Sequence, residues 1–270
     1  MYLTVNERTY WVEEYGLRTG IPVVFLHGFT GSHATWYDMI ASFSTDFRCI
    51  ALDLPGHGQT VQTEPVRMED FCEDLALLFD TLTVEQAHLV GYSMGGRVAL
   101  SFAILYPKRV ATLTLESASP GLEAPHEQVA RQTKDDSLAQ KIEENGIAAF
   151  VQRWENLSLF ATQKSMPDQK KEKIRAERLA QSERGLAASL RGMGTGKQPS
   201  WWDQLATISS PVLIIAGALD KKFVSIAEKM AINFRNSNLH IVSDAGHAVH
   251  VEQTEKFDTI VKDFIYKMEE

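Results

Sequence analysis

The stretch AHLVGYSMGGRVALSF, residues 87–102, passes from an apolar run through Gly91-Tyr92-Ser93-Met94-Gly95 into a helical pattern. That context, strand then Gly-x-Ser-x-Gly then helix, puts a serine on a sharp, strained turn at the end of a strand. The glycines answer a steric need, because side chains two residues to either side of the serine would collide with the neighbouring strand and helix. Outward from this turn, similar apolar runs recur: VVFLHG at 23–28, FRCIALDLPG at 47–56, ATLTLES at 111–117, PVLIIAGALD at 211–220 and LHIVSDAGH at 239–247. Near-continuous hydrophobicity, rather than strict alternation, is what a parallel strand covered on both faces requires. Between these runs, MEDFCEDLALLFDTL sets Phe71, Leu75, Leu78, Phe79 and Leu82 at helical spacing. EKFDTIVKDFIYKM does the same with Phe257, Ile260, Val261, Phe264, Ile265 and Met268. Strand and helix in alternation predict an α/β fold with a mostly parallel, doubly wound sheet, its ligand bound outside the carboxyl ends of the strands.

Residues 121–200 break the rhythm, since no strand-like run occurs there and the segment reads as charged helices carrying Phe150, Trp154 and Leu157. A linker would lack those apolar side chains. The expected organisation is therefore a first part of the core at 1–120, an inserted helical cap at 121–200 and a second part of the core at 201–270. The KKEKIRAER run within the cap reads most simply as a solvated helix face.

With 270 residues and 44% hydrophobic content, the chain can bury a large core, and its formal charge of −8 offers no general attraction for nucleic acid or an anionic membrane. An acidic ligand must then be held by local cations. Cys49 and Cys72 stand in no metal-ligand spacing and read as buried core thiols in a reducing compartment. No run of about 18 apolar residues occurs, and the first residues, MYLTVNERTYWVEEYG, lack the pattern of a secretion signal. The expectation is a cytoplasmic protein without membrane insertion, and the sequon-like NLS at 156–158 is then an ordinary stretch of cap. The glycines of GMGTG at 192–196 follow no strand, so no dinucleotide cofactor is expected.

A lone Gly-x-Ser-x-Gly is a weak signal, but Asp220 closes one strand candidate and His247 closes the next, giving the chain order Ser, Asp, His. In such a triad His247 takes the proton of the Ser93 hydroxyl, and Asp220 fixes the imidazole tautomer and stabilises the imidazolium. Taken alone, Asp220 reads equally as a helix N-cap and His247 as a loop histidine. His250 has no third ligand near it in sequence and reads as a packing residue, or as a support behind the site, rather than a metal ligand. His27-Gly28-Phe29-Thr30-Gly31-Ser32 follows the first parallel strand candidate, where backbone amides can meet developing negative charge. The expected donors are the amides of Phe29 and Met94. His57, in the turn Asp53-Leu-Pro-Gly-His-Gly58, is expected to be structural.

Together HGFTGS, DLPGHG, GYSMGG, the Asp after a strand and the late AGH resemble the α/β-hydrolase fold superfamily over essentially the whole chain. The superfamily spans many reactions, so this resemblance implies fold and triad but not substrate. A narrower set, GYSMGGR, LESASPGLE at 115–123, ARQ at 130–132 and RLAQSERGLAASLRGMGTGKQPSWW at 178–202, resembles the 2-succinyl-6-hydroxy-2,4-cyclohexadiene-1-carboxylate synthases of menaquinone biosynthesis. That resemblance implies a lyase, eliminating pyruvate from 2-succinyl-5-enolpyruvyl-6-hydroxy-3-cyclohexene-1-carboxylate; the sequence itself carries no cofactor motif, and activity independent of metal is expected. It assigns Arg97, Arg131 and Arg178 to the carboxylates of a small tricarboxylate substrate, with Tyr92 and Trp154 as pocket aromatics. Arginine suits the task, because its planar fork binds a carboxylate bidentately. Each arginine also has a plainer reading: Arg97 as an exposed helix residue, Arg131 as a surface charge and Arg178 as part of the solvated KKEKIRAER face.

In the implied lyase no acyl group is transferred, so Ser93 acts as a general base activated by His247. Two other activities fit the same residues: an esterase or C–C bond hydrolase acting on a small carboxylate-bearing substrate, and a binding protein that keeps the triad as a clamp.

Overall fold

All six apolar runs become strands, and two further strands precede them. The computed structural model describes residues 1–269. It opens with a hairpin, β1 (Tyr2–Val5) and β2 (Arg8–Gly16), followed by β3 (Val23–Leu26), β4 (Arg48–Leu52) and β5 (Ala87–Tyr92). Strands β6 (Val110–Glu116), β7 (Val212–Gly217) and β8 (Ser237–Val242) complete one sheet in the order β1-β2-β4-β3-β5-β6-β7-β8. From β4 to β8 every pairing is parallel, while β2 runs antiparallel to both β1 and β4. The hairpin escapes a reading tuned to continuous apolar runs because it lies at the sheet edge and is only half covered. Its turn, Asn6-Glu7, takes left-handed backbone at both residues, and the buried Asp74 carboxylate accepts hydrogen bonds from Asn6, Arg8 and Tyr10. The hairpin is thus fixed by a residue more than 60 positions away.

The helices are α1 (Tyr37–Phe43), α2 (Met68–Thr81), α3 (Met94–Leu105), α4 (Pro125–Trp154), α5 (Asp168–Leu179), α6 (Glu183–Met193), α7 (Lys221–Asn233), α8 (Val249–Glu252) and α9 (Thr254–Glu269). Successive strand residues point to opposite faces, so Val24 and Leu26 of β3 pack with α2, α3 and α7, while Val23 and Phe25 pack with α1 and α9. Both faces being dry explains the unbroken apolar runs of β3 to β7, whereas β8, at the sheet edge, is largely exposed. Full burial of each such side chain contributes on the order of 1.5–3 kcal/mol, which α2 collects through Phe71, Leu75, Leu78 and Phe79. Cys49 and Cys72 are buried free thiols in these two layers.

Between β6 and β7, α4 and α6 build a third apolar cluster from residues including Ile142, Phe150, Val151, Leu186 and Leu190. Phe29 and Trp154 pack against it, joining the helices to the loop after β3. Gly146 breaks α4 with φ 78° and ψ 167°, a conformation a side chain would strain. Helix α5 departs from the solvated face that KKEKIRAER suggested. Lys170 donates to the Val251 carbonyl, Lys173 pairs with Asp38, and Glu177 accepts from Ser32 and Thr35, so one side of the run is fastened to the core. Among the described residues no helix is long and apolar enough to cross a membrane.

Candidate active site

Strand β5 ends at Tyr92 and α3 begins at Met94, leaving Ser93 alone to make the turn, with φ 50° and ψ −105°. A non-glycine residue there is strained, and the surroundings hold it. Its amide donates to the Glu116 carbonyl at 2.8 Å and its own carbonyl accepts the Arg97 amide at 3.0 Å. A Cβ on Gly91 would strike the backbone of Gly95 and Gly96 in α3, and one on Gly95 would strike the Leu26 carbonyl of β3. The two collisions anticipated from the motif are thus with the following helix and the adjacent strand.

Three loops at the carboxyl ends of the strands bring Ser93, Asp220 and His247 together. His247 Nε2 lies 3.1 Å from Ser93 Oγ, and its Nδ1 lies 2.8 Å from Asp220 Oδ2. With Nδ1–H donating to the carboxylate, Nε2 is left to accept the Ser93 hydroxyl proton. Asp220 fulfils both of its sequence readings at once, because its other oxygen accepts the Phe223 amide at 3.3 Å and caps α7. The His247 ring is buried against Phe223, Tyr92 and Phe160, with centroids 4.6, 5.5 and 6.2 Å away. Water is largely displaced from the imidazole, which strengthens its bond to Asp220.

Phe29 and Met94 both border the cavity above Ser93, and among the described residues neither amide has a hydrogen-bond partner. Met94 is the first residue of α3, so its N–H lies at the positive end of a helix. Thr30, beside Phe29, takes left-handed backbone at φ 72°. The pair can receive an oxygen on which negative charge develops.

The cavity holds about 480 Å³ and is bordered by Tyr92, Arg97, Arg131 and Trp154 as well as the residues above. Arg97 is not an exposed helix residue: it is 9% exposed, and its Nη1 donates to the Met193 carbonyl at 2.7 Å and Gln198 Oε1 at 3.2 Å. Burial, reinforced by the neighbouring Arg131 charge, pushes its guanidinium down to about 10. No carboxylate among the described residues pairs with it. Arg131 is half-exposed and donates through Nε to Asp135 at 2.7 Å, so part of its charge is already answered. Arg178 is also buried rather than solvated, but it borders a separate, smaller pocket behind Tyr92 and Phe160. Its guanidinium stacks 4.9 Å from the Phe160 centroid and reaches Gln163 Oε1 at 3.3 Å. Burial and the nearby Glu116 carboxylate hold the Tyr92 phenol well above its ordinary range.

Lys134, Lys222, Phe223 and Ser189 also border the cavity, and the sequence reading missed them. Lys222 and Phe223 follow the triad Asp220 on the opening turn of α7, a position that could have flagged them. Lys134, one helical turn after Arg131, is marked by no motif.

His57 is buried, its Nδ1–H donating to the Pro55 carbonyl, and burial pushes the ring down to about 3. It stays neutral and supports the loop against Phe29. The GMGTG glycines sit where chain segments cross: a Cβ on Gly192 would meet Val66 backbone, and one on Gly196 the backbone of Gln128 and Gln132. Among the described residues no group of three or more His, Cys, Asp or Glu is placed to hold a metal ion.

Residues 21–254 match the family model described as the alpha/beta hydrolase fold. A Bacillus subtilis protein, provisionally named a 2-succinyl-6-hydroxy-2,4-cyclohexadiene-1-carboxylate synthase, is 42% identical, with 97% of each chain covered. The Escherichia coli O1:K1 protein of the same name is 30% identical over 87% of this chain and 90% of its own. The solved structure of MenH from S. aureus superposes with a TM-score of 0.92 at 38% identity, covering 97% of this chain and 99% of that one.

Proposed function

The chain belongs to the alpha/beta hydrolase fold family and, within it, to the 2-succinyl-6-hydroxy-2,4-cyclohexadiene-1-carboxylate synthases. From that membership we propose that it eliminates pyruvate from 2-succinyl-5-enolpyruvyl-6-hydroxy-3-cyclohexene-1-carboxylate, a carbon–oxygen lyase step of menaquinone biosynthesis. The observation that carries the reading is Arg97, a buried guanidinium with no carboxylate partner, on the wall of a cavity whose floor is the Ser93–His247–Asp220 chain. An apolar acyl pocket has no use for such a charge. A carboxylate-bearing substrate does, and each charge-assisted bond to it contributes about 1.5–3 kcal/mol.

The change from a 3-ene to a 2,4-diene dictates where the electrons go. Ser93, its proton drawn toward His247 Nε2, takes the proton from ring carbon 2, which lies next to the succinyl ketone. The succinyl oxygen gains charge in the pocket of the Phe29 and Met94 amides. As the enolate collapses, the ring double bond shifts, the bond from carbon 5 to the enolpyruvyl oxygen breaks, and the departing enolate collects a proton to become pyruvate. No acyl-enzyme forms. Asp220 holds the imidazole in the tautomer this needs and stabilises its positive form. Tyr92 and Trp154 wall the substrate, Arg97 and Arg131 answer its carboxylates from the cavity wall, Arg178 answers one from the adjoining pocket that shares Phe29, Tyr92 and Phe160 with the cavity, and α4 to α6 serve as the cap over it.

Supplying the enolpyruvyl substrate and following pyruvate, with an acetate ester in parallel, tests the proposal. Pyruvate release without ester hydrolysis is expected, whereas rapid ester turnover and a trapped acyl group on Ser93 would decide for a hydrolase.

A further inference from the structure

Two carboxylates that take no part in the proton transfer grip the chain on both sides of His247. Glu252, the last residue of α8, accepts the Gly246 amide through Oε2 at 2.8 Å and the Ala248 amide through Oε1 at 3.4 Å. Its two oxygens therefore reach the residue before the imidazole and the residue after it. Glu116, the last residue of β6, is fully buried and accepts the His250 amide at 3.0 Å and the His250 Nδ1–H at 2.8 Å. Its own carbonyl takes the Ser93 amide at 2.8 Å. One residue is thus bonded to the segment that carries Ser93 and to the segment that carries His247.

These contacts matter because His247 lies in a connection, between the end of β8 at Val242 and the start of α8 at Val249, where no strand pairing fixes the backbone. Asp244, in the same connection, takes left-handed backbone at φ 59°. An imidazole borne on such a segment goes where its peptide planes point. Glu252 fixes the planes before Gly246 and after His247. Glu116 fixes the next turn through His250, whose ring is pressed between Trp36 and Tyr92 at 4.7 and 4.6 Å. The buried Nε2 of His250 has no partner, so the Glu116 carboxylate is the only polar group among the described residues that orients this ring.

We propose that Glu116 and Glu252 are positioning residues, a clamp that sets His247 Nε2 against Ser93 Oγ. The inference rests on reading Ser93 and His247 as the catalytic pair. A displacement of about 1 Å at such a contact costs roughly 100-fold in rate, so the clamp predicts a large effect from groups that touch no substrate.

The test uses the full chain with Glu252→Ala, Glu252→Gln and Glu116→Gln. The readings are kcat and KM for pyruvate release, the rate at which a fluorophosphonate labels Ser93, and the low-field proton resonance of His247 Nδ1–H. Glu252→Ala is expected to lower kcat and labelling by about 100-fold while KM stays within about threefold, and to shift or broaden the resonance. Glu252→Gln should recover part of the loss, because its amide oxygen can still accept one N–H. The clamp is overturned if folded Glu252→Ala keeps kcat and labelling within about threefold of the unaltered chain. It is also overturned if the resonance is unmoved, or if activity falls only in proportion to the folded fraction. Should Glu116→Gln not fold, the two Glu252 variants decide. Unaltered chain that labels on Ser93 but releases no pyruvate would overturn the proposed reaction instead, leaving the clamp to be judged on labelling.

Discussion

The floor of the cavity and its wall are satisfied in opposite ways. On the floor, Ser93 Oγ, both nitrogens of His247 and both oxygens of Asp220 have protein partners, supplied by loops at the ends of β5, β7 and β8 and by the first turn of α7. On the wall, Arg97 spends its hydrogen bonds on neutral acceptors, Met193 O and Gln198 Oε1, and in the adjoining pocket Arg178 meets only Gln163 and the face of Phe160. Arg131 stands between the two patterns, since Asp135 already answers part of its charge. Chemistry that must occur at one atom needs a preorganised chain of partners. Recognition of a charged ligand needs charge that the protein has not itself neutralised, and burying a guanidinium without a carboxylate is a cost that only a ligand offsets.

The contrast is broken most sharply on the floor. Ser93→Ala should reduce pyruvate release by about 1000-fold or more, in keeping with the loss of a positioned base and the proton chain behind it. KM should change little, and circular dichroism should show an unaltered fold. Steady-state kinetics with near-normal turnover would break the assignment of the floor. Along the wall the expected loss is smaller and lies in KM. Arg97→Ala should raise it about 10- to 100-fold, the equivalent of one charge-assisted bond, and Arg97→Lys should not restore it because an ammonium lacks the fork. Arg131→Ala should raise KM about 3- to 10-fold. Equal effects from the two arginines would remove the distinction drawn from Asp135.

The smallest effect concerns the supports of the floor. His57 has an ordinary value of 6.5 and is pushed down to about 3 by burial, and His27 is lowered for the same reason. Below pH 6.5 the unfolded chain gains protons on these rings that the folded chain does not, so stability falls as pH falls through that window and is complete above it. At pH 5 the loss from the His57 ring is about 2 kcal/mol. Thermal unfolding followed from pH 7 to 5 should show it, and His57→Gln should flatten the slope. A slope unchanged by His57→Gln would mean that this ring is not held neutral, because His33, raised by Asp53, contributes in the opposite direction to the slope of the whole chain.

Much of this contrast was legible before any coordinates. Five of the six apolar runs became central strands, because a strand dry on both faces leaves an unbroken signature that short-range reading can detect, while the sixth became β8, a largely exposed strand at the sheet edge. Gly91 and Gly95 were legible for a similar reason: a backbone that must pass close to its neighbours forbids side chains, and the prohibition is written in the chain itself. The hairpin at Tyr2–Gly16 was not legible, since its partners are an edge and Asp74, far away in sequence. The same holds for α5, where KKEKIRAER looks like any charged helix until Lys170, Lys173 and Glu177 are seen fastened to the core.

By itself, then, the sequence determined the alternation of strand and helix, the strained serine turn and the order Ser93, Asp220, His247, because these depend on local sterics and on burial, which act along a few residues at a time. Only the tertiary structure decided that Arg97 is buried without a carboxylate, that Arg131 shares its charge with Asp135 and that Arg178 faces a separate pocket. It likewise decided that Glu116 bonds to the segments of both Ser93 and His247. Charge and hydrogen bonding take their meaning from what lies within a few ångströms in space, and that neighbourhood exists only once the chain has closed on itself.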